Sequence, residues 1–315
     1  MAPAEGFDRV DLELIHALHV DGRAPFTKIA GVLGVSDQTV ARRYSRLRAL
    51  DAIRVVGRTY PGAVGETSWF VRIRCSPQET EHIGRAIARR PEASWVKLTS
   101  GGTEIVAVVR APVDQDSQTL LLQELPRTRH VIEVTANCML HMFFGGPDGP
   151  VHVLGDDQIA ALGIPARGGT TTVELDAVDR RILALLAVDG RAEITDLART
   201  AGIPPTTIRR RLAELRDSGV LYFDVDVDHR RLRLMTQALL WMTVSPRDLM
   251  AAGRQLAEHS EVAFVAATTG ATNLYASVLC AGAPELFAYL TSKVAAVPSL
   301  QAVETAPVIR TLKTV

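Results

Sequence analysis

A chain of 315 residues with 47% hydrophobic content can bury more than one core, and 35 basic against 35 acidic side chains leave no net charge. No apolar run reaches the roughly 18 residues of a membrane span and Met1–Arg9 is no signal peptide, so a cytoplasmic protein with no membrane partner is expected. Cys75, Cys138 and Cys280 lie far apart in strand-like apolar runs and the histidines form no ligand set, which predicts neither disulfide, metal site nor cofactor.

The first predicted helix, Asp8–Val20, carries Leu12, Ile15 and Leu18 at helical spacing and stops at the turn Asp21-Gly22-Arg23-Ala24. A short helix, Thr27–Leu33, ends at Gly34, and a third helix follows at once, capped by Ser36. Helix, glycine turn and helix in this order form a helix-turn-helix, whose second helix enters the DNA major groove through residues near its N-terminus. On the wheel Val40, Tyr44 and Leu47 share the inward face, leaving Gln38, Thr39, Arg42 and Arg46 outward. Gln and Arg reach adenine and guanine edges, and Thr serves phosphates or thymine methyls. Arg43 lies at the margin, suited to phosphate or to holding the helix. The β-like run Ile53–Arg58 that follows fits a small wing or a linking strand.

From Thr67 the pattern changes to period two. Strand Trp69–Cys75, helix Pro77–Arg89 with Ser76 as its cap, strand Ala93–Leu98, a Gly101-Gly102 turn, strand Ile105–Arg110, helix Ser117–Leu125 and strand Val131–Phe144 give the order βαββαβ. That order is ferredoxin-like, an antiparallel sheet with two helices on one face, and a second copy of the sheet is the simplest cover for the other face. Gly145–Thr172, rich in glycine and proline around an apolar segment that suggests one small helix, reads as a linker.

The chain then repeats itself. Residues 175–218 align with 7–50 without a gap at an offset of 168, with 17 of 44 pairs identical, among them Asp8/Asp176, Asp11/Asp179, the Asp-Gly-Arg-Ala turns, Arg42-Arg43/Arg210-Arg211 and Leu47-Arg48/Leu215-Arg216. Here Ile208, Leu212 and Leu215 face inward while Thr206, Thr207 and Arg210 face outward, with Arg209 extending the basic stripe and Arg211 at the margin. The run Val220–Val227 follows. A second βαββαβ set runs from Gln237 to Thr314, with Ser245-Pro246 matching Ser76-Pro77 at an offset of 169. The expected organisation is therefore helix-turn-helix 1–60, ferredoxin-like 61–145, linker 146–173, helix-turn-helix 174–228 and ferredoxin-like 229–315, an α+β chain of two winged helix-turn-helix domains alternating with two βαββαβ domains.

Asp-x-x-Asp in the first helix, Asp-Gly-Arg after it and a following βαββαβ unit resemble the Lrp/AsnC family of transcription regulators, and Thr268-Thr269-Gly270-Ala271-Thr272-Asn273-Leu274 and Val297-Pro298-Ser299-Leu300 match its ligand-sensing domain. The resemblance spans nearly the whole chain, twice, as in a tandem fusion. It implies double-stranded DNA as partner, a small effector such as an amino acid, and pairing of the sensing domains as an intramolecular pseudo-dimer, a homo-oligomer or both. It places the effector near Thr99, Ser100, Gly101, Gly102 and Glu104 in copy one and Thr268, Thr269, Gly270, Thr272 and Asn273 in copy two. The family tends to carry aspartate where this chain has Glu104 and Asn273. Sirohaem decarboxylases resemble the same architecture and are the competing reading, a tetrapyrrole-binding enzyme. The arginine-rich helices and the lack of a His/Tyr/Arg cluster weigh against it. No nucleophile–base pair, carboxylate dyad or G-x-x-x-x-G-K-[ST] loop occurs, so a non-enzyme is expected.

Overall fold

The structure is a computed structural model that describes residues 7–113, 124–144, 151, 153–163 and 172–314. It divides into two compact units, one formed by Met1–Gly65 with Gly146–Arg233 and the other by Glu66–Gly145 with Leu234–Val315. Each unit thus joins the corresponding parts of both sequence copies.

In the first unit, α1 (Arg9–Val20), α2 (Phe26–Leu33) and α3 (Asp37–Ala49) are matched by α6 (Ala177–Val188), α7 (Ile194–Ala201) and α8 (Pro205–Asp217). The Asp-x-x-Asp signature is a reciprocal helix cap. Asp8 accepts the Asp11 N–H and Asp11 accepts the Asp8 N–H, both at 3.0 Å, and Asp176 and Asp179 repeat the arrangement. Gly34 and Gly202 end α2 and α7 at φ of 67° and 65°, the left-handed region in which only glycine is unstrained. The inward faces predicted for α3 and α8 are buried: Val40, Tyr44 and Leu47, then Ile208, Leu212 and Leu215.

Strands β1 (Ile53–Thr59) and β6 (Leu221–Val227) are not wings folded back on their own helices. They are linking strands that pair with each other, antiparallel, from Ile53 opposite Val227 to Thr59 opposite Leu221. The predicted linker is also more than a spacer. Its helix α5 (Asp156–Leu162) packs on α1 and α2, burying Val151, Leu154 and Leu162. His16 Nδ1 accepts the N–H groups of Val153 (3.1 Å) and Leu154 (2.9 Å), and Lys28 Nζ donates to the Leu162 carbonyl. Val151, Leu154 and Leu162 therefore belong to the core of this unit.

The second unit contains β2 (Glu66–Cys75), α4 (Thr80–Ala88), β3 (Ala93–Thr99), β4 (Glu104–Pro112) and β5 (Val131–Phe144) from copy one. Copy two supplies β7 (Thr236–Val244), α9 (Leu249–Ala257), β8 (Val262–Thr268), β9 (Leu274–Cys280), α10 (Ala283–Ser292) and β10 (Leu300–Lys313). Most of the helix expected at Ser117–Leu125 lies outside the described residues. The strands close into one barrel, β10-β3-β4-β2-β5-β8-β9-β7, in which the last strand of each copy pairs with the second strand of the other. Each sheet covers the other's open face, as the alternation predicts. Phe70, Val106 and Val108 of copy one pack with Leu239, Trp241, Ala266, Tyr275 and Ala306 of copy two in a shared core. A further core lies beneath the helices in each copy, two in all.

One local expectation fails. Ser76 and Ser245 do not cap helices through their side chains. The proline after each starts a tight turn, the serine carbonyl accepts the N–H of Glu79 or Asp248 (2.9 Å each), and α4 and α9 begin only at Thr80 and Leu249. Among the described residues no helix is long and apolar enough to cross a membrane.

Candidate DNA interface and effector turns

The outward face of α3 begins with Ser36, whose Oγ accepts the Thr39 N–H at 3.1 Å and bonds the Thr39 hydroxyl at 2.8 Å. This local capping engages Ser36 and holds the first turn in shape. Gln38 and Arg42 are exposed on that face, and the Arg42 side chain has no hydrogen bond or ion pair among the described residues. Arg43 and Arg46 turn back instead. Arg43 Nη1 pairs with Asp8 (2.7 Å) and with Asp11 (2.8 Å), while Arg46 also pairs with Asp11, whose carboxylate is fully buried. The sequence wheel set Arg46 among the reading residues. The geometry ties it to α1, because burying Asp11 requires cationic partners and Arg46 lies one turn from Arg43.

Copy two repeats the anchor but not the reading face. Arg211 pairs with Asp176 at 2.7 Å and with Asp179 at 3.7 Å. Glu214 replaces Arg46 and draws Arg210 into an i,i+4 pair at 2.6 Å, leaving Arg209 as the exposed arginine without a partner among the described residues. Thr206 is exposed at the start of α8 and Thr207 is half-buried. Sequence reasoning missed the Asp8–Arg43 and Asp176–Arg211 pairs, although their shared 35-residue separation in both copies was the available signal.

The two helix-turn-helix bodies are locked together within this unit. Arg23 Nη1 donates to the carbonyls of Gly190 (2.8 Å) and Ala192 (3.2 Å), and Arg191 Nη1 donates to those of Gly22 (2.7 Å) and Ala24 (3.1 Å). Burial pulls both guanidinium pKa values below the ordinary arginine range. Reciprocal ion pairs, Arg48 with Asp189 and Arg216 with Asp21, both at 3.0 Å, flank this clasp. The Asp-Gly-Arg-Ala turn that identifies the repeat is thus its dimer-like contact. Gly22 and Gly190 are required there, since a Cβ on Gly22 would lie 2.7 Å from Phe223 Cβ and one on Gly190 would lie 2.9 Å from the Val56 backbone.

In the sensing unit the two predicted effector turns differ. In copy one Glu104, 3% exposed, accepts from Thr99 Oγ1 (2.8 Å), Ser100 Oγ (3.1 Å) and Arg72 Nε (2.7 Å). Arg72 also donates to Glu304 (2.8 and 2.5 Å), which lowers the Glu304 pKa, and its guanidinium lies 4.9 Å from the Trp241 ring. Gly101 and Gly102 take φ of 73° and 83°, and a cleft of about 370 Å³ opens beside the turn. In copy two Asn273 Oδ1 accepts the Val244 N–H (2.9 Å) and its Nδ2 donates to the Val244 carbonyl (2.8 Å). Thr268 Oγ1 donates to the Thr272 carbonyl, Thr269 Oγ1 accepts the Cys138 N–H, and Gly270 passes at φ of 104°. No group of three His, Cys, Asp or Glu side chains suited to a metal ion occurs among the described residues.

Comparison with known proteins follows this division. The AsnC-type helix-turn-helix domain matches residues 7–48 and 175–216, and the Lrp/AsnC ligand binding domain matches 68–145 and 237–314. A Pyrococcus furiosus HTH-type transcriptional regulator is 28% identical over 132 residues, 42% of this chain and 89% of its own. The regulatory protein AsnC is 27% identical over 146 residues in both Haemophilus influenzae (44% of this chain, 97% of the relative) and Escherichia coli (44% and 96%). Each of these relatives therefore corresponds to a single copy. A solved structure, the siroheme decarboxylase NirDL, shares the fold of the whole chain, with a TM-score of 0.67 over 98% of this chain and 93% of that one at 15% identity. With both of its domain types present twice, the chain belongs to the Lrp/AsnC family of DNA-binding transcriptional regulators, in tandem form.

Proposed function

We propose that this chain is a sequence-specific regulator in which one polypeptide presents both recognition helices to a two-part operator and answers to a small effector, of the amino-acid class, held by the sensing unit. The observation that carries the reading is that Arg42 and Arg209, exposed on α3 and α8 and without a partner among the described residues, belong to a unit that clamps the two helix-turn-helix bodies together through Arg23 and Arg191. DNA contacts would come from Ser36, Gln38, Thr39, Arg42, Thr206, Thr207, Arg209 and Arg210, with Arg43, Arg46 and Arg211 holding the helices in place. Because the reading faces differ, the two half-sites should differ in sequence while lying about one helical turn, or a multiple, apart.

The test is a gel-shift titration against DNA upstream of the protein's own gene, at two salt concentrations, with and without an amino-acid mixture. Specific binding that weakens with salt supports the regulator, and a change with amino acids supports the sensor. Absence of binding at low salt overturns the reading. The whole-chain fold likeness to siroheme decarboxylase NirDL favours a second reading, a tetrapyrrole-binding enzyme. Stoichiometric uptake of sirohaem or haem, seen as a visible absorption spectrum, would support it.

A further inference from the structure

We infer that the sensing unit takes one effector per chain, at the copy-one turn, and that this effector is a net cation, positive through an ammonium or guanidinium group that no carboxylate of its own balances. The inference rests on the reading of this unit as a sensor.

The two turns occupy equivalent places, since Val308 lies opposite Thr99 and Met139 opposite Thr268, each pair offset by 169 from the other. Their neighbours differ. At the copy-two turn Asn137, buried in β5, donates from Nδ2 to the Thr269 carbonyl at 2.5 Å and fills the space that a Cβ on Gly270 would need. The adjacent Cys138 N–H donates to Thr269 Oγ1 at 2.8 Å. With Asn273 bonded both ways to Val244, the Thr269 carbonyl, the Thr269 hydroxyl and the Asn273 amide are all answered by the chain itself. The residue pair that supplies this plug has no equivalent at the copy-one turn. The positions matching Asn137 and Cys138 are Ala306, with no amide, and Pro307, with no N–H. A Cβ on Gly101 or Gly102 would meet nothing within 4 Å, and the cleft of about 370 Å³ lies there. That volume suits a small metabolite.

The charges select the ligand. Two arginines, Arg72 and Arg74, line the cleft against three glutamates, Glu104, Glu133 and Glu304. Arg72 is committed to Glu104 and Glu304 and Arg74 pairs with Glu133 at 2.8 Å, so both guanidinium groups are matched and one carboxylate is in excess. The side chains of Glu133 and Glu304 are 54% and 53% exposed, with acceptor capacity to spare for a cation. The positions that match Arg72, Arg74, Glu104 and Glu133 in copy two are Trp241, Thr243, Asn273 and Ala302, all uncharged.

Calorimetric titration of the intact chain with L-arginine and putrescine, and with L-glutamate and L-leucine as contrasts, tests this. The expected result is one equivalent of a cationic probe per chain. Glu304→Gln should weaken it about tenfold or more, and Ala306→Asn, which copies the plug into the open turn, should abolish it. Melting curves verify that both variants fold, and Glu304→Gln decides alone if Ala306→Asn does not. Two equivalents per chain, preference for L-glutamate or L-leucine, or undiminished binding by Glu304→Gln would overturn the inference. No heat from either cationic probe, with salt-sensitive DNA binding intact, overturns this inference alone. Loss of DNA binding by the parent chain would instead overturn the regulator reading.

Discussion

Arg23 and Arg191 occupy the same place in the two sequence copies, and each donates to the turn carbonyls of the other: Arg23 to Gly190 and Ala192, Arg191 to Gly22 and Ala24. Arg191 also stacks over Phe26 (4.4 Å) and Tyr44 (5.3 Å), so the clasp touches the core behind α3. Replacing either arginine leaves two carbonyls without their charged donor. Arg191→Ala should cost about 2–3 kcal/mol, from the lost charge-assisted hydrogen bonds and cation–π contact. Urea unfolding of the intact chain measures this, and Arg191→Lys should recover only part of the loss because an ammonium lacks the planar fork.

Glycine at the same turns is a packing requirement as well as a turn signal. Gly22→Ala would press on the Phe223 and Val55 side chains, whereas Gly190→Ala would press on the Val56 backbone, which yields less easily. Both should destabilise by about 1–3 kcal/mol, Gly190→Ala more. A thermal melt that ranks them in the opposite order would contradict this geometry.

The capping aspartates set an acid limit on stability. At Asp8 burial works against the charge, but the Arg43 guanidinium and the Asp11 N–H hold the carboxyl below the usual carboxylate range; at Asp176 the Asp179 N–H and Arg211 do the same. A depressed folded pKa means the stabilisation is fully present above the unfolded value near pH 3.9 and is lost as pH falls through the folded one. Unfolding free energy measured from pH 6 down to pH 2 should therefore fall in that acid window. Asp8→Asn should be less stable at pH 6 and should show a shallower fall.

The copies also predict opposite effects of charge on α8. Glu214 holds Arg210 at 2.6 Å and adds a negative charge to the face proposed to meet phosphate and bases. Glu214→Ala should strengthen DNA binding several-fold and steepen its salt dependence by about one phosphate contact, whereas Arg42→Ala should weaken specific binding by about 1–3 kcal/mol. Gel shifts over a salt series read both. Unchanged affinity in Glu214→Ala would show that α8 does not face DNA through Arg210.

Much of this architecture was legible because it depends on local periodicity. The inward stripe Val40, Tyr44 and Leu47 follows the helical period, and the strand expected at Val131–Phe144 is found with those bounds. The parts that escaped are set by partners distant in the chain. Arg46 sits on the outward side of its helix by angle, yet the buried charge of Asp11 captures it. Nothing local to Ile53–Thr59 says that its partner is Leu221–Val227 rather than its own helices. The difference between the two effector turns needs the cross-copy register that sets Asn137 beside Thr269 and Ala306 at the matching place. Gly145–Thr172 reads as linker because it is rich in glycine and proline, and the burial of Val151, Leu154 and Leu162 in the core of the first unit is tertiary.

The central claim is that a single chain carries two unlike DNA-reading heads. Hydroxyl-radical footprints of the parent, Arg42→Ala and Arg209→Ala chains on the same operator test it most directly. The account predicts that Arg42→Ala loses protection over one half-site and Arg209→Ala over the other. Equal loss over both halves in each variant would contradict it, since that is the pattern of two chains that each lend the same head to the DNA.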